Sequence, residues 1–510
     1  MKYFIILLVI VGFALYANTF SNRMFWDDNE SILNNQFIKN WQYFPKYFSE
    51  NIIAGAGLLS NYWRPVLLMV FSLEWHLWGD WSVGYHFVNM SFHIIDALLL
   101  FLILFYIFRN RGLAFFTALI FLVHPLQTEA VTYVSGLGDS LSVFFILLGI
   151  LFYLKNKTYF SSLIMYVLAL MSKETAIVMP VFIFLADFLI LDQQQISLKE
   201  KLKKIAKKIW PFFVLAGIYI LLRATVLNFV NTFNLYNEAN VFTSHFYVRL
   251  FTFFRVLLVY LGLLFWPFNL HMERSVAIAT SLDSCSVIFG GLIFLGLLIL
   301  AFLKFKKFPI LSFGIFWFFI GLAPVSNLLI PISGLIYEHW LYLPLVGIFL
   351  ILIWLGMMGA KKYNLKKILL GILIIFLIFL SVLTIKRNRD WHDQITFYNQ
   401  TLKYAPASYR VINNLGMAYA DEGEQNQAEE MYKRAINLDP SNPVAYHNLG
   451  NTYREMGKKD LAIENFQTAI KLDPKFIFSY NALINIYLEN KEYDKAQEIY
   501  DQAKHYYPGF

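Results

Sequence analysis

The stretch NNLGMAYADEGEQNQAEEMYKRAINLDP at residues 413–440 is followed, 34 residues on, by HNLGNTYREMGKKDLAIENFQTAIKLDP at residues 447–474. Asn414-Leu415-Gly416 with Tyr419 recurs as Asn448-Leu449-Gly450 with Tyr453, and more weakly as Ala482-Leu483 with Tyr487. Ala428, Ala462 and Ala496 match, as do Ala435, Ala469 and Ala503, and Pro406, Pro440, Pro474 and Pro508 keep the same 34-residue step. Small residues at fixed positions let paired helices approach, while leucine and tyrosine fill the space between them. Leu438-Asp439-Pro440 and Leu472-Asp473-Pro474 end one unit and open the next, since proline fits a helix start but not a helix interior.

A helical repeat of this period reads as the tetratricopeptide type, which stacks into an α-solenoid with a concave binding face. About three units fit, near the minimum for a stable array, behind a leading helix over Trp391–Lys403. Asn413, Asn414, Asn448 and Asn481 recur near the first helices. Of these, Asn414, Asn448 and Asn481 are the acceptor-binding candidates, suited to holding an extended peptide backbone. Facing solvent or closing repeat turns explains them equally well.

The preceding sequence has another character. Over the whole chain 58% of residues are hydrophobic and 15% charged, which excludes an ordinary soluble protein. Its 51 phenylalanines and 31 tyrosines suit lipid-facing helices with interfacial aromatic belts. The net charge of +8 sits in lysine clusters at 201–208, 304–307 and 361–367, between apolar segments. These read as topology signals, not as a nucleic-acid surface. A single cysteine, Cys285, leaves no disulfide framework and argues against thiol or zinc chemistry. The first apolar segment, Tyr3–Leu15, reads as an uncleaved signal anchor.

About eleven spans are expected, near Lys2–Tyr16, Gly84–Phe108, Leu113–His124, Leu137–Leu154, Tyr159–Met171 and Thr175–Leu191, then Trp210–Leu227, Val287–Leu303, Phe308–Leu329, Trp340–Met358 and Ile368–Ile385. With the N-terminus inside, the positive-inside rule is met at Arg109/Arg111, Lys155/Lys157, Lys199–Lys208, Lys304–Lys307 and Lys361–Lys367. The segment His245–Phe265 carries Arg249 and Arg255 and is expected to lie on the outer surface rather than cross. The expected fold is therefore all-α: a polytopic membrane domain over residues 1–386 and a repeat solenoid over 387–510 on the non-cytoplasmic side.

Outer loops then collect the chemistry-bearing residues. Just after the first span comes Phe25-Trp26-Asp27-Asp28-Asn29-Glu30. Paired carboxylates there make a solvated turn or a helix cap. The sharper reading is a general base, because a like charge at a low-dielectric boundary raises a carboxylate's proton affinity.

That run, with Tyr62-Trp63-Arg64-Pro65, Phe87-Val88-Asn89-Met90 to His93, His124-Pro125-Leu126-Gln127-Thr128-Glu129-Ala130-Val131, Ser172-Lys173-Glu174 and Glu338-His339-Trp340-Leu341-Tyr342-Leu343-Pro344, resembles a known family. The resemblance is to the transmembrane-and-tetratricopeptide-repeat protein O-mannosyltransferases, and it spans nearly the whole chain in order. It implies a GT-C membrane fold, a polyprenyl-phosphate-linked hexose donor and Asp27 and Asp28 as the catalytic pair, with Asp28 preferred as base. Family members often carry many more repeats than this chain.

A lipid phosphate leaves readily, so such a reaction needs one base for the acceptor hydroxyl and cations for the developing phosphate charge. Arg64, Lys173, Arg274 and His339 are the outer-face candidates, with Glu129 and Glu338 beside them as donor-site residues. Each also has a plain explanation. Arg64 can anchor a loop, Lys173 can pair with Glu174, Arg274 can pair with Glu273, and Glu338-His339 can start a helix. His124, Glu129 and Asp139 match no helical metal motif, and no metal site is assigned. His86 and His93 share one helix face and read as core. No glycine-rich phosphate loop or nucleotide fingerprint occurs, which favours a lipid-linked donor.

The functional expectation is a glycosyltransferase in a microbial plasma membrane. It would move a hexose, mannose by the family resemblance, to a protein Ser/Thr hydroxyl, with the repeats recruiting the acceptor polypeptide or a partner protein. A non-catalytic repeat scaffold and an oligosaccharyltransferase or polysaccharide ligase are the alternatives.

Overall fold

A computed structural model describes residues 1–155, 159–192, 196–230 and 240–507. Lys157, Pro508 and part of the 228–286 loop lie outside the described residues. Among the described residues every regular element is helical, and the chain divides into two compact units, Met1–His392 and Asp393–Phe510.

In the first unit eight helices are long and apolar enough to cross a membrane: Lys2–Ser21, Ser82–Phe108, Val134–Leu154, Leu198–Ala224, Phe246–Phe265, Cys285–Lys304, Leu345–Lys362 and Lys366–Asp390. A ninth results if Arg111–Val123 and Pro125–Thr132, bent by 58°, form one broken span. Pro125 explains the break, since its ring clashes with a continuing helix and it donates no hydrogen bond. Pro65–Trp78, Tyr159–Ser172 and Pro309–Val325 are apolar but shorter.

Phe246–Phe265, the segment expected to lie on the outer surface, is a 20-residue apolar helix. Its arginines are taken up locally: Arg249 donates to the Thr243 carbonyl, and Arg255 to Ser284, Ser286 and the Ala277 carbonyl. The Thr175–Leu191 segment begins with a short 3-10 turn, Glu174–Val178, and its α-helix runs only over Met179–Asp192.

Helices in this unit meet through small residues, as expected where lipid supplies no hydrophobic drive. Gly314 and Gly347 face each other so closely that a β-carbon on either would collide with the other's carbonyl oxygen.

The second unit opens with Gln394–Leu402, capped by the Asp393 carboxylate on Thr396 N at 2.8 Å. That cap starts the leading helix three residues later than expected, leaving Trp391 in the first unit. Three helix pairs follow: Tyr409–Asp421 with Gln425–Leu438, Pro443–Glu455 with Lys459–Leu472, and Ile477–Glu489 with Tyr493–Tyr506. The six matched alanines are buried. Gly416 lies under the Tyr432 ring and Gly450 under Phe466, where a β-carbon would come within 2.7 Å.

Candidate functional site

The first loop turns tightly at Trp26, a non-glycine residue at φ 60°, and Asn29 N donates to the Trp26 carbonyl at 2.9 Å. This turn sends its two aspartates opposite ways. Asp28 is buried, 1% exposed, and its Oδ1 accepts Ser135 N at 2.8 Å and Ser135 Oγ at 2.5 Å. Its Oδ2 accepts Phe25 N at 3.2 Å. Burial pushes the Asp28 carboxyl up to about 7; the Ser135 and Phe25 hydrogen bonds pull it down, and the neighbouring Asp27 charge adds to the rise. Asp27 is exposed.

Aromatic rings fix the turn from behind. Trp26 stacks on Tyr133 at 5.5 Å, Tyr133 stacks on Trp391 at 5.3 Å, and the Arg387 guanidinium lies 5.7 Å from the Trp391 ring centre. The Tyr133 side chain faces Asp27, close enough for each to act on the other.

Every nominated cation has a carboxylate partner. Arg64, at the start of Pro65–Trp78, grips Glu174 with two hydrogen bonds of 3.1 and 2.7 Å. Burial alone would push Glu174 up, but the Arg64 charge and hydrogen bonds, aided by Lys173, outweigh it and hold the carboxyl down at about 2. Lys173 does not pair with Glu174 as one sequence reading had it; it bonds Asp139 at 2.6 Å. Arg274 likewise pairs not with Glu273 but with Glu338, at 3.4 Å.

Glu129 pins the 338–339 segment: its Oε2 accepts Glu338 N at 2.9 Å and His339 N at 3.2 Å, and its Oε1 meets His339 Nδ1 at 2.8 Å. Glu338 is buried between Arg274 and Arg387, the latter at 3.6 Å, and accepts His271 N at 2.7 Å. Burial raises its carboxyl above the usual carboxylate range against the pull of Arg387 and Arg274, with Glu129 adding to the rise.

These groups belong to one region of the first unit. The Tyr62 phenol lies within electrostatic reach of Asp27, Arg64, Glu174 and Tyr337. A small cavity of about 30 Å³ is lined by Asp139, Thr175, His339, Trp340 and Tyr342, which joins the Lys173 pair to the Glu129 pair. Among the described residues no three His, Cys, Asp or Glu side chains gather closely enough to hold a metal ion.

His86 and His93 are buried on one helix, bonded to the Asn22 carbonyl and the Tyr342 hydroxyl. In the second unit Asn448 donates to Asn413 across successive repeats at 3.1 Å, Asn414 is half-buried and Asn481 is exposed. Sequence reading missed Ser135, Tyr133, Arg387 and Trp391. Only Arg387 left a signal, an arginine at the end of an apolar run with Asp390 three residues on, to which it bonds at 3.2 Å.

Comparison with known proteins agrees in order and extent. A TPR repeat model matches residues 416–457 and a tetratricopeptide repeat model matches 443–476. The protein O-mannosyl-transferase F38B6.6 of Caenorhabditis elegans is 26% identical over 85% of this chain and 62% of its own length. Protein O-mannosyl-transferase TMTC4 of Homo sapiens is 26% identical over 83% of this chain and 64% of its own. Protein O-mannosyl-transferase Tmtc1 of Drosophila melanogaster is 24% identical over 82% of this chain and 59% of its own. The chain thus spans about three-fifths of the length of these curated relatives. With its apolar helical unit followed by these repeats, the chain fits the transmembrane-and-tetratricopeptide-repeat protein O-mannosyl-transferase family.

Proposed function

We propose that this protein is a GT-C-type membrane glycosyltransferase that moves a hexose, mannose by the names of its relatives, from a polyprenyl-phosphate donor to a Ser/Thr hydroxyl of a polypeptide. The observation that carries the reading is the first-loop turn. It presents Asp27 while locking Asp28 onto Ser135. Asp27 then takes the acceptor hydroxyl's proton, the freed oxygen attacks the anomeric carbon, and the carbon–oxygen bond to phosphate breaks with inversion. The electron pair leaves on the polyprenyl phosphate.

This assigns the base to Asp27 and a positioning role to Asp28, reversing the preference drawn from sequence. The reason is access: Asp28 already accepts three hydrogen bonds and is shut away from an acceptor. Arg64, Lys173, Arg274 and His339 stabilise the departing phosphate, exchanging part of their carboxylate contacts for it, with Glu129 and Glu338 keeping them aligned. The repeats, through Asn414, Asn448 and Asn481, recruit the acceptor polypeptide or a partner on the non-cytoplasmic side. A microbial plasma membrane is the proposed host.

The reading is tested by purified full-length protein in proteoliposomes with radiolabelled polyprenyl-phosphate mannose and a Ser/Thr-rich polypeptide. Label should appear on the polypeptide in a β-elimination-sensitive linkage. Label that stays wholly on lipid, with donor shown to bind, contradicts it.

A further inference from the structure

The helix Leu198–Ala224 has 27 residues and two distinct parts, a lysine-rich start and an apolar remainder. Its buried stripe is Lys201, Ile205, Ile209, Phe212 and Ala216, with the Lys201 ammonium 3.5 Å from the Phe188 ring centre. At 100° per residue, Lys199, Lys203, Lys207, Trp210 and Val214 fall within about 80° of one another on the opposite side. All five are exposed. Lys204 is 3.5 Å from Glu200 and Lys208 is 3.9 Å from Asp187, but among the described residues Lys203 and Lys207 have no carboxylate partner.

Where the lysines stop, a groove begins. It has a volume of about 450 Å³, no polar lining, and walls from Tyr159–Ser172 (Phe160, Leu163, Val167) and from the lysine helix (Trp210, Val214). Its mouth is fastened at the lysine end, since Tyr159 Oη donates to the Lys208 carbonyl at 2.5 Å. Lys207 is one helical turn from Trp210, about 4.5 Å along the axis.

We infer that this face is a binding site for an anionic phospholipid, its phosphate headgroup on Lys203 and Lys207 and one acyl chain in the groove behind Trp210. Charge complementarity selects the occupant. A zwitterionic lipid fills the groove equally well but, with a choline cation beside its phosphate, gains less from these lysines, whereas each lysine near an anionic headgroup is worth about fivefold in affinity. The site lies in the leaflet on the lysine side, which is the cytoplasmic one by the positive-inside rule. It shares no residue with the candidate catalytic region.

The test is native mass spectrometry of the detergent-solubilised full chain with dioleoyl phosphatidylglycerol or dioleoyl phosphatidylcholine. The wild type should retain phosphatidylglycerol preferentially, and Lys203→Gln/Lys207→Gln should reduce that retention at least tenfold while leaving phosphatidylcholine unchanged. Val214→Trp, which fills the groove, should lower retention of both lipids. Lys306→Gln/Lys307→Gln, a control on another lysine cluster, should do neither. Wild-type selectivity in the Lys203/Lys207 variant overturns the inference, as does an equal loss in the control. Displacement of phosphatidylglycerol by polyprenyl phosphate in the wild type but not in Val214→Trp would give the groove to the sugar carrier and overturn it as well.

Discussion

Trp26 and Tyr133 stack with 25° between their planes while Trp26 holds a left-handed backbone. A bulky residue in that conformation costs about 1–3 kcal/mol and persists only where its surroundings over-determine it. Here the ring of Tyr133 does so, itself backed by Trp391. The strain lies immediately before Asp27, so the stack sets where that carboxylate points.

Tyr133→Phe therefore separates stacking from the hydroxyl that faces Asp27. The variant should fold normally yet lose roughly tenfold in transfer rate. With the phenol gone from beside Asp27, the acid limb of the pH–rate profile should shift. A profile that superimposes on the wild type's would leave Tyr133 with a packing role only.

Asp28 gives the first unit a pH-dependent stability. Its folded-state value of about 7 lies above the ordinary 3.8, so its contribution is fully present below the ordinary value and is lost as pH rises through 7. The effect is at most a few kcal/mol. Asp28→Asn keeps an acceptor for Ser135 but faces Phe25 N with a donor. It should flatten the dependence of the unfolding midpoint between pH 4 and 8, and an unchanged slope would assign the dependence to other groups.

In the repeats, Gly423 and Gly457 turn at φ 78° and 74°, and Lys491 occupies the corresponding place at φ 63°. A lysine there carries a steric penalty that glycine avoids. Lys491→Gly should stabilise the second unit by about 0.5–1 kcal/mol in chemical denaturation. A destabilised variant would mean the side chain contributes more than the backbone strain costs.

The proposed non-cytoplasmic address is open to cysteine labelling, since Cys285 is the sole background thiol and is exposed. In a Cys285→Ser background, Gln42→Cys in the first loop and Ser441→Cys in the repeats should both react with an impermeant maleimide on intact cells. Reaction of one and not the other would split the loop and the repeats across the membrane.

The repeats were legible because a 34-residue period repeats its own evidence: Leu415, Tyr419, Ala428 and Ala435 each recur one unit and two units later. The apolar spans were legible in composition but less so in geometry, where Pro125 breaks one helix and the helix expected from Thr175 starts only at Met179. The candidate residues were legible by type, not by partner. Arg64 meets Glu174 across 110 positions and Glu129 meets His339 across 210, distances over which sequence carries no local signal. The same limit hid the asymmetry of the aspartate pair, since Asp28 is buried by Ser135, 107 residues away.

The most direct measurement compares mannosyl transfer by Asp27→Asn and Asp28→Asn with that of the wild type, each in proteoliposomes and each checked for retained helicity and donor binding. Loss of a general base costs about 10²–10⁴-fold, so Asp27→Asn should fall by that amount, with Asp28→Asn reduced less. Asp27→Asn transferring at close to the wild-type rate would contradict the account.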